Sequence, residues 1–367
     1  MRVLKFGGSS VADAGSMSRV LDIVEQAAAT GKVTLVCSAI SGCTDALIAL
    51  GADAAAGGHG RAGILDPLRA RHRAIVTRLF SGREKSRTMD RLDAVFGEIS
   101  QLLDSITEAG AITPRQEEEI QTFGEILSTR ILAAKLGTEL PAVKWLDSRK
   151  LIVKGDLKRT YAGIRRATRA AKDIFVAPGF IARTADGAPA TLGRGGSDYS
   201  AALYAAATGA PAVEIWTDVP GIMTANPKVV PEARPIPHMS YDAAFCMAGH
   251  GAKVLYAPTV TPAREKGIPI LIKDTFAPSA PGTVIDGRGG CGGWVGVSSL
   301  TDGDYELIYI TAEGAFDARG AQLRGIAALK DAGISAVGTG AGEGFVSLTV
   351  LKAVAKDACR TLHNEFF

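Results

Sequence analysis

Cysteine is scarce and poorly arranged for cross-linking: Cys37, Cys43, Cys246, Cys291 and Cys359 are odd in number, widely spaced and without a CxxC pair. That excludes a disulfide framework and a zinc knuckle, and reduced thiols are expected. Histidine is equally sparse. His59, His72, His238, His250 and His363 show no HExxH or other ligand spacing, and none accompanies a serine or cysteine nucleophile motif, so histidine chemistry is not expected. An excess of charge is also missing. With 41 Lys+Arg against 38 Asp+Glu the net charge is +3, too balanced for a chain that wraps a polyanion or coats an anionic surface; neither nucleic acid nor a membrane is expected as partner. No apolar run approaches the roughly 18–20 residues of a spanning helix. Met1 to Phe6 leads straight into a strand-like segment with no signal-peptide core, so the expected setting is soluble and cytoplasmic.

What is present is enough apolar material, 47% of 367 residues, for a sizeable core and about two domains. Segments rich in β-branched residues alternate with helical patterns. Val3–Phe6 is followed by a helix from about Asp13 with Met17, Val20, Leu21 and Val24 on one stripe, then by Val33–Val36. Further strands are expected at 142–145, 174–176, 213–216 and 269–272, so the fold class is α/β, a mainly parallel sheet sandwiched between helices. Residues 51–110 read as a helical excursion whose arginines are interspersed with acids, a solvated face. From Pro114 a helix runs through Glu125 to Leu136, with Gly137 as its stop and Glu117–Glu119 in the early turns, where the helix dipole favours acids. The glycine-rich run 286–293 predicts a domain boundary. Beyond it the order is strand (305–310), helix (318–332), strand (334–337), strand (345–350), helix (354–365), a βαββα series lacking a final strand. The expected domains are 1–285, a linker 286–296, and a module 297–367.

Five motifs carry chemistry. Lys5-Phe6-Gly7-Gly8-Ser9-Ser10 ends a strand in two glycines and two hydroxyls before a helix; bare backbone N–H groups and the lysine ammonium suit a phosphate. Thr191 to Asp198 is a second glycine-rich loop, with Ser197 placed to cap the next helix and Arg194 able to grip a carboxylate bidentately. Trp216 to Lys228 is a strand exit offering hydroxyl, carboxylate and an apolar Met223 for a nucleoside. Ser38 to Thr44 is a hydroxyl-rich strand exit, and Glu125 lies off the Ile120/Phe123/Leu127/Ile131 stripe of its helix. Taken separately, a turn accounts for the former and an exposed carboxylate for the latter.

Together and in this order, these motifs resemble the aspartate kinases of the amino-acid-kinase superfamily. The resemblance runs through KFGGSSVA, Phe123-Gly124-Glu125, Gly179-Phe180, LGRGGSDYSAA around Arg194, WTDVPGI at Trp216 and GAKVL at Gly251–Leu255, and covers residues 1–285. MRVLKFGG, Met239-Ser240-Tyr241 and Leu271-Ile272-Lys273 look most like the kinase half of bifunctional aspartate kinase–homoserine dehydrogenase. The resemblance implies ATP, Mg2+ and L-aspartate as substrates and cofactors, giving 4-phospho-L-aspartate. It implies Lys5 neutralising the transferring phosphoryl group and Asp198 orienting Lys5. Gly7, Gly8, Ser9, Gly195 and Gly196 would cradle phosphate. Arg194 would clamp an aspartate carboxylate, Glu125 receive its ammonium, and Ser38, Thr44 and Phe180 line the pocket. Thr217, Asp218, Met223 and Lys228 would hold the nucleotide, with Lys253 nearby. A carboxylate with an ordinary pKa near 3.9 is already anionic at neutral pH, which agrees with the absence of a histidine base. Asn226, Lys228, Ala243 and Tyr256-Ala257 depart from the family pattern, on the nucleotide side and toward the regulatory region. The tail resembles one ACT module lacking its last strand, so an open strand edge and a homodimer or larger are expected. Two other readings share these motifs: a kinase for another carboxylate, which would not need Glu125 beside Arg194, and a non-catalytic amino-acid sensor, which would not need Lys5 with Asp198.

Overall fold

Val33–Cys37 (β2) is a nearly continuous apolar run with every residue buried, as a parallel strand covered on both faces requires; Arg2–Phe6 (β1) beside it buries Val3, Leu4 and Phe6 and carries Arg2 and Lys5. The computed structural model describes residues 1–169, 174–252, 254–290 and 292–367. Its chain divides into two compact units, Met1–Asp218 and Val219–Phe367. This division falls within the Trp216–Lys228 motif, upstream of the glycine-rich run where the boundary was expected.

In the first unit, the helix Ala14–Ala28 (α1) joins β1 to β2. Asp13 caps it, accepting the Ser16 N–H at 2.8 Å, and the stripe Met17, Val20, Leu21, Val24 is buried as expected. The excursion consists of Cys43–Ala55 (α2), Arg61–Leu79 (α3), Gly82–Ala109 (α4) and Pro114–Glu139 (α5). Exposed pairs such as Arg73–Asp93 make its outer face the solvated one anticipated. A Thr113/Gln116 capping box and Pro114 open α5. It does not stop at Gly137. An internal glycine costs only about 1 kcal/mol, and packing of Leu136 and Leu140 on the core carries the helix to Glu139. There follow Val143–Trp145 (β3), Ser148–Leu151 (α6), Leu157–Ala167 (α7), Ile174–Pro178 (β4), the hairpin Ile181–Arg183 (β5) and Pro189–Thr191 (β6), Gly196–Thr208 (α8) and Val213–Thr217 (β7). The strands pair in parallel in the order β3-β4-β2-β1-β7, so all their carboxyl ends open on one edge. That edge is where α/β folds bind ligands.

In the second unit, His238–Ser240 (β8), Tyr241–Gly249 (α9), Val260–Glu265 (α10), Ile270–Asp274 (β9) and Thr283–Asp286 (β10) precede the C-terminal sheet. β10 pairs β8 in parallel but β9 antiparallel. The remaining elements are Gly293–Asp302 (β11), Tyr305–Glu313 (β12), Ala318–Asp331 (α11), Val337–Gly342 (β13), Phe345–Leu351 (β14) and Ala355–Phe366 (α12). Ile308, Ile310, Val346, Leu348 and Val350 share a core with Leu329 of α11 and Leu362 of α12.

Two readings of the tail change. The second expected strand is not 334–337 but Val337–Gly342, a glycine-rich stretch without strand propensity that is held by pairing with β14. β11, read as linker in its first residues, pairs antiparallel with β12 from Gly293 onward. The open edge expected of the tail falls on the outer strands of the described sheet, which runs β11-β12-β14-β13: β12 is paired on both sides, and β11 and β13 are the two edges.

Candidate active site

Lys5 occupies the centre of the parallel sheet, in register with Val36 on one side and Ile215 on the other. Its Nζ stands 2.6 Å from Asp198 Oδ1, with both side chains only about a tenth exposed (11% and 10%). That oxygen accepts no aligned hydrogen bond among the described residues, so charge holds the pair. Asp198 lies in the first turn of α8, just after Gly193 and Gly195, whose φ of 75° and 70° only glycine adopts readily. Gly195 is the helix N-cap and no side chain caps it; Ser197, expected as the cap, is instead buried one step inside the helix. The cause is a close crossing: a Cβ on Gly179 would come within 2.8 Å of Ser197 Cβ and Oγ. Phe180 beside it has φ 61°, a strained conformation for an aromatic residue. It is fixed by its N–H donating to Ser200 Oγ at 3.0 Å and its carbonyl accepting the Leu192 N–H at 2.8 Å.

The phosphate-type turn and the strand exit of β2 are one construction. The Ser41 N–H donates to the Gly8 carbonyl at 3.3 Å, and a Cβ on Gly8 would press within 2.9 Å of the Ala39 carbonyl. The Ala39 N–H in turn donates to Glu125 Oε1 at 3.1 Å. Glu125 is buried (3% exposed), not an exposed carboxylate, because α5 is apolar or small on nearly every side where it crosses the core. Its Oε2 is buried with no hydrogen-bond partner among the described residues, and burial raises its carboxyl to about 8. An unsatisfied buried carboxylate oxygen is costly and calls for a cationic partner. Ser38 is placed by its carbonyl, which accepts Ser128 Oγ–H at 2.7 Å, and Thr44 sits half-buried in the first turn of α2. Burial pushes the Cys37 and Cys43 thiols nearby up to about 12, so both stay neutral and unreactive.

Gly7 follows Lys5 closely enough that its Cβ would lie 3.6 Å from Nζ, and Ser9 opens a short 3-10 turn. The structure thus gathers Lys5, Gly7, Gly8, Ser9, Ser38, Thr44, Glu125, Phe180, Gly195, Gly196 and Asp198 around the carboxyl ends of β1, β2 and β4. Arg194 is exposed on its loop, without an ion pair among the described residues. Thr217 ends β7 and Asp218 follows it. Met223 and Lys228 belong to the second unit, where Met223 bridges Pro235 and the Lys228 N–H donates to Asn226 Oδ1 at 3.0 Å. An aspartate at 226 could accept the same bond, so that departure preserves the turn. Lys253 and Cys291 lie outside the described residues.

Sequence reasoning missed Arg71. From α3 its Nη1 donates to the Ser41 carbonyl at 2.6 Å and its Nη2 to the Ala12 carbonyl at 2.9 Å, tying the strand exit to the end of the phosphate-type turn. No sequence signal marks an arginine whose partners are backbone carbonyls. Arg71→Ala is expected to raise the KM for the amino-acid substrate about 5- to 10-fold, the worth of one net charge-assisted bond. Arg71→Lys should recover only part, since an ammonium cannot span both carbonyls; steady-state kinetics on the two variants check this.

Glycine-rich turns at the carboxyl edge of a parallel sheet, beside a buried lysine–aspartate pair, belong to the class of α/β proteins that bind small anionic ligands at that edge. The Amino acid kinase family description matches residues 1–274, and the chain belongs to that family. It is 35% identical over 299 residues to the bifunctional aspartokinase/homoserine dehydrogenase of Haemophilus influenzae, covering 78% of this chain and 37% of that one. It is 36% identical over 298 residues to lysine-sensitive aspartokinase 3 of Escherichia coli, covering 77% and 63%. The chain thus matches less than two thirds of the length of these curated relatives. Among solved structures, E. coli aspartokinase III in complex with aspartate and ADP (R-state) superposes with TM-score 0.87 at 25% identity over 100% of both chains. No helix among the described residues is long and apolar enough to cross a membrane.

Proposed function

We propose that the chain is an aspartate kinase, transferring the terminal phosphoryl group of ATP to the side-chain carboxylate of L-aspartate to give 4-phospho-L-aspartate. The single observation that carries this reading is Glu125, a buried carboxylate with one unsatisfied oxygen, linked through Ala39 to the glycine turn beside Lys5. The substrate's ammonium satisfies that oxygen, and its reacting carboxylate then points toward the phosphate side. Arg194, the exposed cation of the glycine loop, takes the α-carboxylate, while Ser38, Thr44 and Phe180 shape the pocket. No base is required. The barrier is the meeting of two anions, which the Lys5 ammonium and the N–H groups of Gly7, Gly8, Ser9, Gly195 and Gly196 offset, with Asp198 holding Lys5 in place. Thr217, Asp218, Met223, Lys228 and Lys253 are assigned to the nucleotide.

Mg2+ fits as an ion carried on the nucleotide phosphates. The described residues contain no cluster of three or more acidic, histidine or cysteine side chains able to hold a metal, and Mg2+ characteristically keeps waters and phosphate oxygens. Bound there, it neutralises phosphate charge. Residues 1–285 form the catalytic domain in this reading, 286–296 a connection, and 297–367 an ACT-like regulatory module, in a cytoplasmic homodimer or larger with weak or absent feedback inhibition. The dimer reading rests on the edge strands of the C-terminal sheet, above all β13, whose Val337 is 62% exposed. The likeness to E. coli aspartokinase III in complex with aspartate and ADP supports the substrate pair.

A hydroxamate assay tests the reaction. With ATP and Mg2+, aspartate should give the acyl hydroxamate, and glutamate and N-acetylglutamate at most a few per cent of it. Equal rates with N-acetylglutamate, which lacks an ammonium, would sink the role given to Glu125; no turnover with aspartate would favour a sensor.

A further inference from the structure

A second polar cavity, of about 460 Å³, opens in the first unit between α6 and the β5–β6 hairpin, lined by Asp147, Arg149, Lys150, Arg183, Gly187 and Pro189. None of these residues belongs to the active site described above. Asp147, its one acid, is already committed. It caps α6 by accepting the Arg149 N–H at 3.1 Å, and its two oxygens accept Arg149 Nε and Nη2, each at 3.0 Å. Arg149 and Asp147 therefore cancel, leaving the ammonium of Lys150 and the guanidinium of Arg183 with no ion pair among the described residues. Asp186, in the hairpin turn, accepts the Thr184 hydroxyl and does not line the cavity.

Arg183 is held firmly. Its N–H donates to the Ile152 carbonyl at 3.0 Å, its carbonyl accepts the Lys154 N–H at 2.8 Å, and its strand bridges Val153. Its side-chain Nε is buried without a hydrogen-bond partner. A buried guanidinium donor left unpaired beside a second uncompensated cation is the complement of an oxyanion, which supplies both charge and acceptors. We propose that this cavity is an anion site, taking a phosphate-type dianion, free or as the phosphoryl group of a small metabolite, between Arg183 and Lys150. Because β5 and β6 connect Phe180 to the Arg194 loop, an occupant would steady the segment that carries both.

Isothermal titration of the whole chain with inorganic phosphate tests this, in wild type and in Lys150→Met, Arg183→Met and Lys5→Met. Lys150 is exposed, so its variant is expected to fold even should Arg183→Met not. The expected result is saturable binding in wild type and Lys5→Met, weakened at least tenfold in Lys150→Met and Arg183→Met. A glucose-phosphate arm at the same concentrations separates free phosphate from a phosphomonoester. Absence of saturable binding of either probe overturns the proposal. So does binding that disappears in Lys5→Met but survives in Lys150→Met, which would put the anion on the glycine turns instead. Neither outcome depends on the chain being an aspartate kinase.

Discussion

Lys5→Met should lower kcat by about 10²–10³-fold while leaving the KM for aspartate nearly unchanged. The methionine keeps the apolar stem packed in the sheet and removes only the charge. In the ground state that charge is shared with Asp198 at 2.6 Å; in transfer it meets charge building on the phosphoryl oxygens. The loss therefore belongs to the transition state. The same substitution strands the mostly buried Asp198 carboxylate, and breaking such a pair costs about 3–5 kcal/mol. Stability and catalysis separate in the double variant Lys5→Met/Asp198→Asn. With no lone carboxylate left it should regain most of the lost melting temperature yet stay as slow as the single variant. Turnover returning together with stability would reduce Lys5 to a structural residue.

Glu125→Gln is expected to move stability and activity in opposite directions. Burial raises the Glu125 carboxyl from its ordinary 4.5 to about 8, so the folded chain keeps a proton that the unfolded chain releases. Stability must then fall as pH rises from about 4.5 to about 8, and glutamine, neutral throughout, removes that fall. Calorimetry should find the variant melting with wild type near pH 4.5 and above it at pH 8.5. Aspartate, in contrast, needs the ionised carboxylate. Its KM in wild type should drop as pH approaches 8 and level beyond, and binding at pH 7 should release a proton. The variant should lose on the order of 10²-fold in kcat/KM for aspartate, the scale of truncating a buried charge pair, and lose the pH dependence with it. A variant less stable at pH 8.5 with an unchanged KM would make Glu125 a core residue only.

The parallel strands β1, β2, β4 and β7 were legible because buried parallel strands are rich in apolar and β-branched residues, and the glycine turns because no other residue fits them. Glu125 was legible only through the FGE motif: periodicity set it off the apolar stripe, and a stripe cannot reveal that α5 is packed on nearly all sides. Arg71 left no trace, since backbone carbonyls 30 and 59 positions away carry no side-chain signature. β13 was misplaced because its glycines take strand form from pairing with β14 rather than from propensity. The first residues of β11 read as linker for the same reason, their glycines concealing a strand that pairs with β12.

Where the amino acid's ammonium goes decides the role of Glu125 and the direction of the reacting carboxylate. A crystal structure with L-aspartate bound should place that ammonium within hydrogen-bond distance of Glu125 Oε2, with the side-chain carboxylate turned toward Lys5 and the Gly7–Ser9 turn. Aspartate bound in the reverse sense, or with Glu125 Oε2 still unpartnered, would contradict that placement.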